Sequence, residues 1–250
     1  MSARRGCGPR VSECESHLSP HLRKQNMKTL EYDGIKIKCF DRQESLDTLG
    51  FVFGELKGGV YSHFDIEGRD VLDVGAYLGE TAIWFVKKGA NLVVALEPFE
   101  SFNLIDQNVA DNGCAARVIP MRGAISDSDG FVAVATGENS GGSNLMEFSD
   151  ANNQTNGSIL IPQYTLDALT AHHDLQDAIL KMDCEGSEFR ALLGTPREVI
   201  RRFQYAMIEV HYFAGDAGKL YQYFVDNDFK IEVFPSGGSL SFVYAERLDF

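Results

Sequence analysis

Hydrophobic and polar positions along this chain repeat with two periods, one typical of strands and one typical of helices. After an N-terminal segment of short strands and a helix around residues 44–56, strand-like and helix-like stretches alternate from residue 70 to the end. Such alternation is the sequence mark of βαβ units around a parallel sheet. We therefore predict an α/β fold with a doubly wound, Rossmann-like sheet that is mostly parallel.

Five parallel strands and a terminal antiparallel hairpin are expected. The parallel strands read DVLDVG, NLVVALEP, ARVIPMRGAI, DAILKMD and YAMIEVHYF in chain order, and helical segments connect them. The last two strands, KIEVF and LSFVYAER, are joined by PSGG, which is typical of a hairpin turn. Sheets of this kind bind ligands beyond the carboxyl ends of their strands, where the strand order reverses.

Two stretches depart from the alternation. Residues 137–158 are rich in Gly, Ser and Asn and lie between FVAVAT and ILIPQ, so an inserted hairpin with a long loop is expected. The first 26 residues lack both periodicity and the apolar stretch of a secretory signal, and indicate either a flexible basic tail or a leader before a native start at Met27. The predicted units are the leader 1–26 and a single domain 27–250, with an N-terminal subregion 27–69 and a core 70–250.

Composition and charge narrow the choice of partners. A formal net charge of −13 would repel phosphate backbones and anionic lipid, and no basic patch is evident, so no nucleic-acid or membrane partner is expected. The 5 cysteines are scattered without a C-x-x-C pair, which fits reduced thiols in the cytoplasm and offers no zinc site. A small-molecule partner is expected, and the oligomeric state stays open.

The first βα turn is the candidate ligand site. It runs DVGAYLGE from Asp73, so that Gly75 permits a tight turn and Gly79 lets the following helix begin close to the strand. The glycine spacing is G-x-x-x-G rather than the G-x-G-x-x-G that seats a pyrophosphate. Asp73 and Glu80 also disfavour a doubly charged anion and suit a cationic ligand. A tight turn without any ligand is the alternative.

The second strand ends in Glu97, 24 positions after Asp73, where an acid can accept hydrogen bonds from both hydroxyls of a ribose. Together with a turn that lacks the pyrophosphate signature, this acid predicts S-adenosylmethionine as the cofactor. The predicted cofactor-binding residues are Asp73, Gly75, Ala76, Tyr77, Gly79, Glu97, Pro98, Gly123, Ala124, Ile125 and Asp183.

Several segments occur together in one order: VLDVGAYLGET, ALEPFESFNLIDQNV, GAISDSDG, TLDAL, LKMDCEGSE and MIEVH. Across about residues 55 to 245 the chain resembles the FkbM family of S-adenosylmethionine-dependent methyltransferases, most specifically in the D-x-E-G-x-E pattern of Asp183 to Glu188. The resemblance implies the class I methyltransferase fold and O-methylation of a hydroxyl on a sugar, a polyketide or another secondary metabolite. It leaves the individual acceptor undefined.

Candidate catalytic residues follow the fourth and fifth parallel strands. Strand alternation puts Lys181, Asp183 and Glu185 on one side if the extended conformation persists, and Glu209 and His211 share a face of the next strand. Methyl transfer to a hydroxyl needs an aligned acceptor and a group that takes its proton. We expect His211 or Asp183 to be that base, and Glu185 and Glu209 to orient the acceptor.

Other interpretations of the same residues remain open. No spacing demands a metal and none is predicted, although Asp183, Glu185, Glu209 and His211 offer oxygen and imidazole ligands. Cys184 alternates away from the acids and is expected to be a buried packing residue, and Lys181 is expected to form a structural ion pair. A module that binds S-adenosylmethionine without catalysis is one alternative function. A nicotinamide-dependent oxidoreductase is another, disfavoured by the missing dinucleotide signature.

Overall fold

Strands and helices alternate along most of the chain in a computed structural model that describes residues 26–135 and 158–249. The strands are β1 Met27–Tyr32, β2 Ile35–Phe40, β3 Asp70–Val74, β4 Leu92–Glu97, β5 Val118–Arg122, β6 Ala124–Ile125, β7 Gly130–Ala135, β8 Ser158–Tyr164, β9 Ala178–Met182, β10 Phe203–His211, β11 Phe229–Pro235 and β12 Leu240–Arg247. The helices are α1 Gln43–Gly58, α2 Glu80–Lys87, α3 Phe102–Asp111, α4 Leu166–His172, α5 Glu188–Leu193, α6 Arg197–Ile200 and α7 Ala217–Asp226.

A seven-stranded sheet forms the centre of the structure, in the order β11-β12-β10-β9-β3-β4-β5. The strands β5, β4, β3, β9 and β10 are parallel to one another, whereas β12 pairs antiparallel with both β10 and β11. The predicted five parallel strands and terminal hairpin are therefore confirmed. The strand order reverses between β3 and β9, and this reversal places a ligand crevice at the carboxyl ends of those two strands.

Both faces of the sheet are buried at its inner strands β3, β4 and β9, which explains why these strands read as nearly continuous apolar runs. Alternate residues of β3 join different hydrophobic clusters: Val71 packs with α2, α3 and the β1–β2 hairpin, whereas Leu72 and Val74 pack with α4, α5 and α7. The period of two along the strand thus sends successive side chains to opposite layers. The N-terminal hairpin and α1 share a cluster with the sheet, while the single domain 27–250 stays a prediction.

A second, smaller sheet corrects one expectation. The stretch ARVIPMRGAI was expected to be a single strand, but it divides at Gly123 into β5 of the central sheet and β6 of a three-stranded sheet, in the order β6-β8-β7. A side chain at Gly123 would lie 2.5 Å from the Tyr164 ring, so the chain changes sheets where only glycine fits. The predicted inserted hairpin is confirmed by the antiparallel pairing of β7 and β8.

Two predicted segments fall largely outside the described residues. The leader 1–26 is represented only by Asn26, and the loop 137–158 only by Ser158, the first residue of β8. The short helix α6 was not predicted. Within the described ranges, no helix combines the length and the hydrophobicity needed to cross a membrane.

Candidate active site

A cleft lies at the carboxyl ends of β3, β4 and β9, where the strand order predicted a ligand site. It encloses about 770 Å³ of space that is partly open to solvent. Of the predicted cofactor-binding residues, seven line the cleft: Gly75, Tyr77, Glu97, Pro98, Gly123, Ile125 and Asp183. The other four lie behind its wall: Asp73, Ala76, Gly79 and Ala124.

The glycine turn is shaped by neighbouring backbone. Gly75 has φ +77°, and a side chain there would meet the carbonyl oxygen of Asp183 at 1.8 Å. Only glycine therefore lets the end of β3 pass this close to the end of β9. Gly79 has φ +87°, and a side chain there would lie 3.0 Å from Ile105 of α3. Gly79 therefore also makes room for α3, and the expectation that it brings its helix close to the strand stays a prediction.

The acid at the end of β3 is directed into the protein. Asp73 Oδ2 accepts a 2.6 Å hydrogen bond from Thr81 Oγ1, and Oδ1 lies 3.2 Å from Lys181 Nζ, with both Asp73 and Lys181 buried. Lys181 also donates to the carbonyl oxygen of Gly75 at 2.8 Å. Burial lowers the pKa of Lys181, but the charges of Asp73 and Asp183 raise it above its ordinary value. The predicted ion pair of Lys181 is confirmed. Asp73 itself does not line the cleft, whereas its partners Thr81 and Lys181 do.

Glu97 is held by three donors from two segments of the chain. Its Oε1 accepts from Phe99 N at 2.9 Å and Ser101 Oγ at 2.8 Å, and its Oε2 accepts from Tyr77 N at 2.9 Å. Burial raises the pKa of Glu97 to about 7, against the lowering effect of these hydrogen bonds. A carboxylate offers about four acceptor positions, so one position, on Oε2, is left for a ligand.

Glu80 lies buried at the foot of the cleft, where its Oε2 accepts from Leu78 N at 3.1 Å. Burial raises its pKa to about 8, so that the side chain is largely protonated at neutral pH. The charge of Asp73 is matched by Lys181. The expectation that these two acids favour a cationic ligand is therefore not supported on this side of the cleft.

On the other side, the ends of β9 and β10 bring five side chains together, which we term the acid–histidine cluster: Asp183, Glu185, Glu188, Glu209 and His211. Glu188 organises it, with Oε1 accepting from His211 N at 2.7 Å and lying 3.0 Å from His211 Nδ1. Its Oε2 accepts from Gly186 N at 2.8 Å. Glu188 is fully buried and fixes the plane of the imidazole ring. It was not among the predicted site residues, although it closes the D-x-E-G-x-E pattern.

The opposite edge of the imidazole faces the remaining acids. His211 Nε2 lies 3.5 Å from Glu185 Oε2 and 4.0 Å from Glu209 Oε1. One ligand atom each of Asp183, Glu209 and His211 lies within 4.8 Å of the others. Glu185 has φ +52°, so the extended conformation does not continue through it, and a turn brings this side chain to the histidine. Asp183 and Glu185 also line the cleft, which connects the cluster to the cofactor side.

The cluster is strongly acidic for a buried site. Burial lowers the pKa of His211, but the hydrogen bond and charge of Glu188, with Asp183 and Glu185, raise it to about 9. Burial, then the charges of Asp183 and Glu55, raise the pKa of Glu209 to about 9. Neighbouring carboxylates contribute to both shifts, whereas burial raises the pKa of Glu209 and opposes the rise at His211.

Two residues of the N-terminal subregion complete this side of the cleft. Tyr61 lines it and donates a 2.8 Å hydrogen bond to Glu55 Oε2. Burial raises the pKa of Tyr61 well above its ordinary value, so its hydroxyl stays a neutral donor. Neither residue was predicted, because no local motif marks α1 as part of the site. Cys184 is buried as expected, with its thiol 3.6 Å from Glu188 Oε2.

Five parallel strands with β12 inserted antiparallel between β10 and β11, and a glycine turn after β3, define the fold as that of a class I methyltransferase. The Methyltransferase FkbM domain matches residues 73–231, and the chain belongs to this family. It is a methyltransferase whose cofactor is S-adenosylmethionine. No curated protein is significantly similar to the chain in sequence.

The following solved structures have a related fold and are distant in sequence. M. jannaschii TYW2 in complex with AdoMet is 14% identical, with a TM-score of 0.47 and coverage of 90% of this chain and 88% of that chain. A SAM-dependent methyltransferase from Aquifex aeolicus is 16% identical, with a TM-score of 0.41 and coverage of 77% and 89%. The ribosomal protein L11 methylase from Lactobacillus delbrueckii subsp. bulgaricus is 16% identical, with a TM-score of 0.43 and coverage of 76% and 75%.

Proposed function

We propose that this methyltransferase transfers its methyl group to a hydroxyl of a small molecule, such as a sugar or another metabolite. The observation that carries the proposal is that one cleft is lined both by the glycine turn with Glu97 and by Asp183 and Glu185 of the acid–histidine cluster. A methyl donor and a polar acceptor held in these two parts would face each other. The net charge of −13 disfavours nucleic acid as the acceptor.

The residues of the first part fit the cofactor. Val74, Leu96 and Ile125 give the cleft an apolar wall suited to an adenine ring. Glu97 Oε2 has an acceptor position for one ribose hydroxyl, one fewer than the sequence predicted. The carboxylates of Asp183 and Glu185 supply negative charge suited to the positive end of S-adenosylmethionine. When bound, this cofactor supplies a methyl group on a sulfonium, which is displaced in line by a nucleophile.

The residues of the acid–histidine cluster are proposed to bind the acceptor. Asp183 lines the cleft, and among the described residues no donor lies within hydrogen-bond distance of its carboxylate, which leaves the carboxylate available as the base. His211, the other predicted base, lies behind it and is positioned by Glu188. Glu185 and Glu209 are proposed to orient the acceptor hydroxyl, as expected from the sequence. Three buried free thiols, Cys39, Cys114 and Cys184, support the proposed cytoplasmic location.

Calorimetry and turnover on the full chain test this function. We expect S-adenosylhomocysteine to bind in the micromolar range, and release of S-adenosylhomocysteine from S-adenosylmethionine with at least one member of a panel of hydroxylated sugars and small metabolites. Asp183→Asn should reduce turnover roughly 10²–10⁴-fold while folding is retained. The matched control is Glu246→Gln, an exposed acid on β12, which should leave turnover unchanged.

The outcomes separate the alternatives. Binding without turnover on any acceptor would favour a module that binds S-adenosylmethionine without catalysis. Absence of binding would contradict both functions. Turnover only on nucleic acid or protein would retain the enzyme class and overturn the proposed small-molecule hydroxyl.

A further inference from the structure

We propose that Asp183, Glu209 and His211 form a divalent-cation site that holds the hydroxyl of the acceptor. This inference deepens the proposed function and rests on it for the identity of the acceptor. Three ligand atoms within 4.8 Å of one another enclose a point no more than about 2.8 Å from each. Small side-chain rotations would bring this distance to the roughly 2.0–2.6 Å of bonds from oxygen to Mg²⁺ or Ca²⁺.

The first independent observation is the state of Glu209. Its residue is 8% exposed, yet among the described residues no donor lies within hydrogen-bond distance of its carboxylate. The nearest positive group is His211 Nε2, at 4.0 Å. A carboxyl group this buried and without donors becomes ionised readily only when a cation compensates for its lost hydration. Glu209 therefore points to a cationic ligand beside Nε2.

The second observation is how His211 is held. Glu188 Oε1 lies 3.0 Å from Nδ1 and accepts from the backbone N of the same residue, so the ring is fixed from its far side. A carboxylate that orients the non-ligating nitrogen is the usual support of a metal-bound histidine. The orientation leaves Nε2 directed at the acids, where a cation would replace the proton on this nitrogen.

The donor set indicates which cation and which acceptor. Two carboxylates and one imidazole suit Mg²⁺ or Mn²⁺, which keep further positions for water or substrate oxygen. Asp183 lines the cleft, so these open positions face the space assigned to the acceptor. One carboxylate oxygen of Asp183 suffices for the cation, which leaves the other for the acceptor proton. An acceptor with two adjacent oxygens, such as a vicinal diol of a sugar, would chelate the cation.

Manganese binding to the full-length protein, stripped with EDTA and dialysed, tests the site. We expect about one Mn²⁺ per chain by electron paramagnetic resonance of the free ion, with competition by Mg²⁺. Glu209→Gln and Glu188→Gln should each weaken this binding roughly 10–100-fold. Glu246→Gln, at the opposite end of the β10–β12 pair from His211, should not change it.

Binding of S-adenosylhomocysteine is measured on every variant, which shows that each one is folded. Absence of Mn²⁺ binding up to millimolar concentration in protein that binds S-adenosylhomocysteine would overturn the site, as would binding that both cluster variants leave unchanged. Full turnover in excess EDTA would overturn the metal's role and leave the proposed methyltransferase function standing. Failure to bind S-adenosylhomocysteine would instead count against the proposed function.

Discussion

The carboxylates in the two halves of the cleft differ in the number of hydrogen-bond donors and positive charges around them. In the half proposed to bind the cofactor, at the ends of β3 and β4 and termed the cofactor half, Asp73 is matched by Thr81 and Lys181, and Glu97 accepts from three donors. In the half proposed to bind the acceptor, at the ends of β9 and β10 and termed the acceptor half, no donor from the described residues reaches the carboxylates of Asp183 and Glu209. The two halves are built from the same strand ends of one sheet, so the difference lies in the side chains rather than in the fold.

From this difference we infer that the acids of the cofactor half hold the structure in place, whereas the acids of the acceptor half are available to bind a ligand. Buried acids that have hydrogen-bond donors or a counter-charge stabilise the folded state, whereas acids held close together without donors destabilise it and persist where function needs them. Gly75 links the halves, since its Cα faces the carbonyl oxygen of Asp183 across the strand boundary. Substitutions on either side should therefore have effects of opposite sign on stability, and substitution at the boundary should disturb both halves.

The largest effect is expected for Gly75→Ala, at the boundary between the halves. The added Cβ would lie 1.8 Å from the backbone oxygen of Asp183, and φ is +77°. Because backbone cannot move aside as a side chain can, we expect a loss of roughly 4 kcal/mol or more in the free energy of unfolding, measured with urea. Gly59→Ala is the control, with φ +79° and no atom within 4 Å, and should cost about 1 kcal/mol. Equal effects of the two variants would contradict the proposed steric origin.

The next largest change in stability is expected for Asp73→Asn, within the cofactor half. The substitution keeps the shape of the side chain but leaves the ammonium of Lys181 buried without its counter-charge. Breaking a buried ion pair in this way costs roughly 3–5 kcal/mol of unfolding free energy, by urea denaturation. The double variant Asp73→Asn/Lys181→Met should recover part of the loss, because no charge is then stranded. A double variant no more stable than the single one would show that packing, rather than charge, explains the result.

The fold was predictable from sequence because its signals are local and repeated. Apolar runs, their spacing and the glycine and proline positions define the strands and helices, and the handedness and switch-point rules then place the crevice. The split of β5 from β6 was missed, since it depends on the ring of Tyr164 packing against Gly123 from a distant part of the chain.

Only those residues of the candidate site that belong to a recognisable sequence motif could be predicted. The glycine turn, Glu97 and the acids of KMDCEGSEF are adjacent in sequence to strand ends, so their convergence followed from the parallel sheet. Glu55 and Tyr61 come from a segment without a motif, and their approach depends on how α1 packs. The inward direction of Asp73 also depends on Lys181, a partner more than a hundred residues away.

A third prediction applies the same acid-to-amide change to the acceptor half. Glu209→Gln removes a group that ionises more readily in the unfolded chain than in the folded protein, because burial and then the charges of Asp183 and Glu55 raise its pKa to about 9. In metal-free protein we therefore expect a gain of roughly 1–2 kcal/mol in the free energy of unfolding, opposite in sign to Asp73→Asn. Turnover should fall, as is usual when stability rises at a site built for function. A destabilised Glu209→Gln would remove the contrast between the halves, whereas Glu246→Gln should show no change.

The last effect concerns the pH dependence of stability in the cofactor half. Burial raises the pKa of Glu80 to about 8, above the ordinary 4.5 of the unfolded chain. Between these values the folded state binds more protons than the unfolded state, so this residue makes stability fall as pH rises from about 5 to 8. Glu80→Gln cannot titrate, and its stability relative to wild type should therefore rise across this window by on the order of 1–3 kcal/mol, measured by urea unfolding at each pH. Other acids with raised pKa values affect both proteins alike, so the difference isolates Glu80, and a difference that stays constant with pH would show that Glu80 is already ionised in the folded protein.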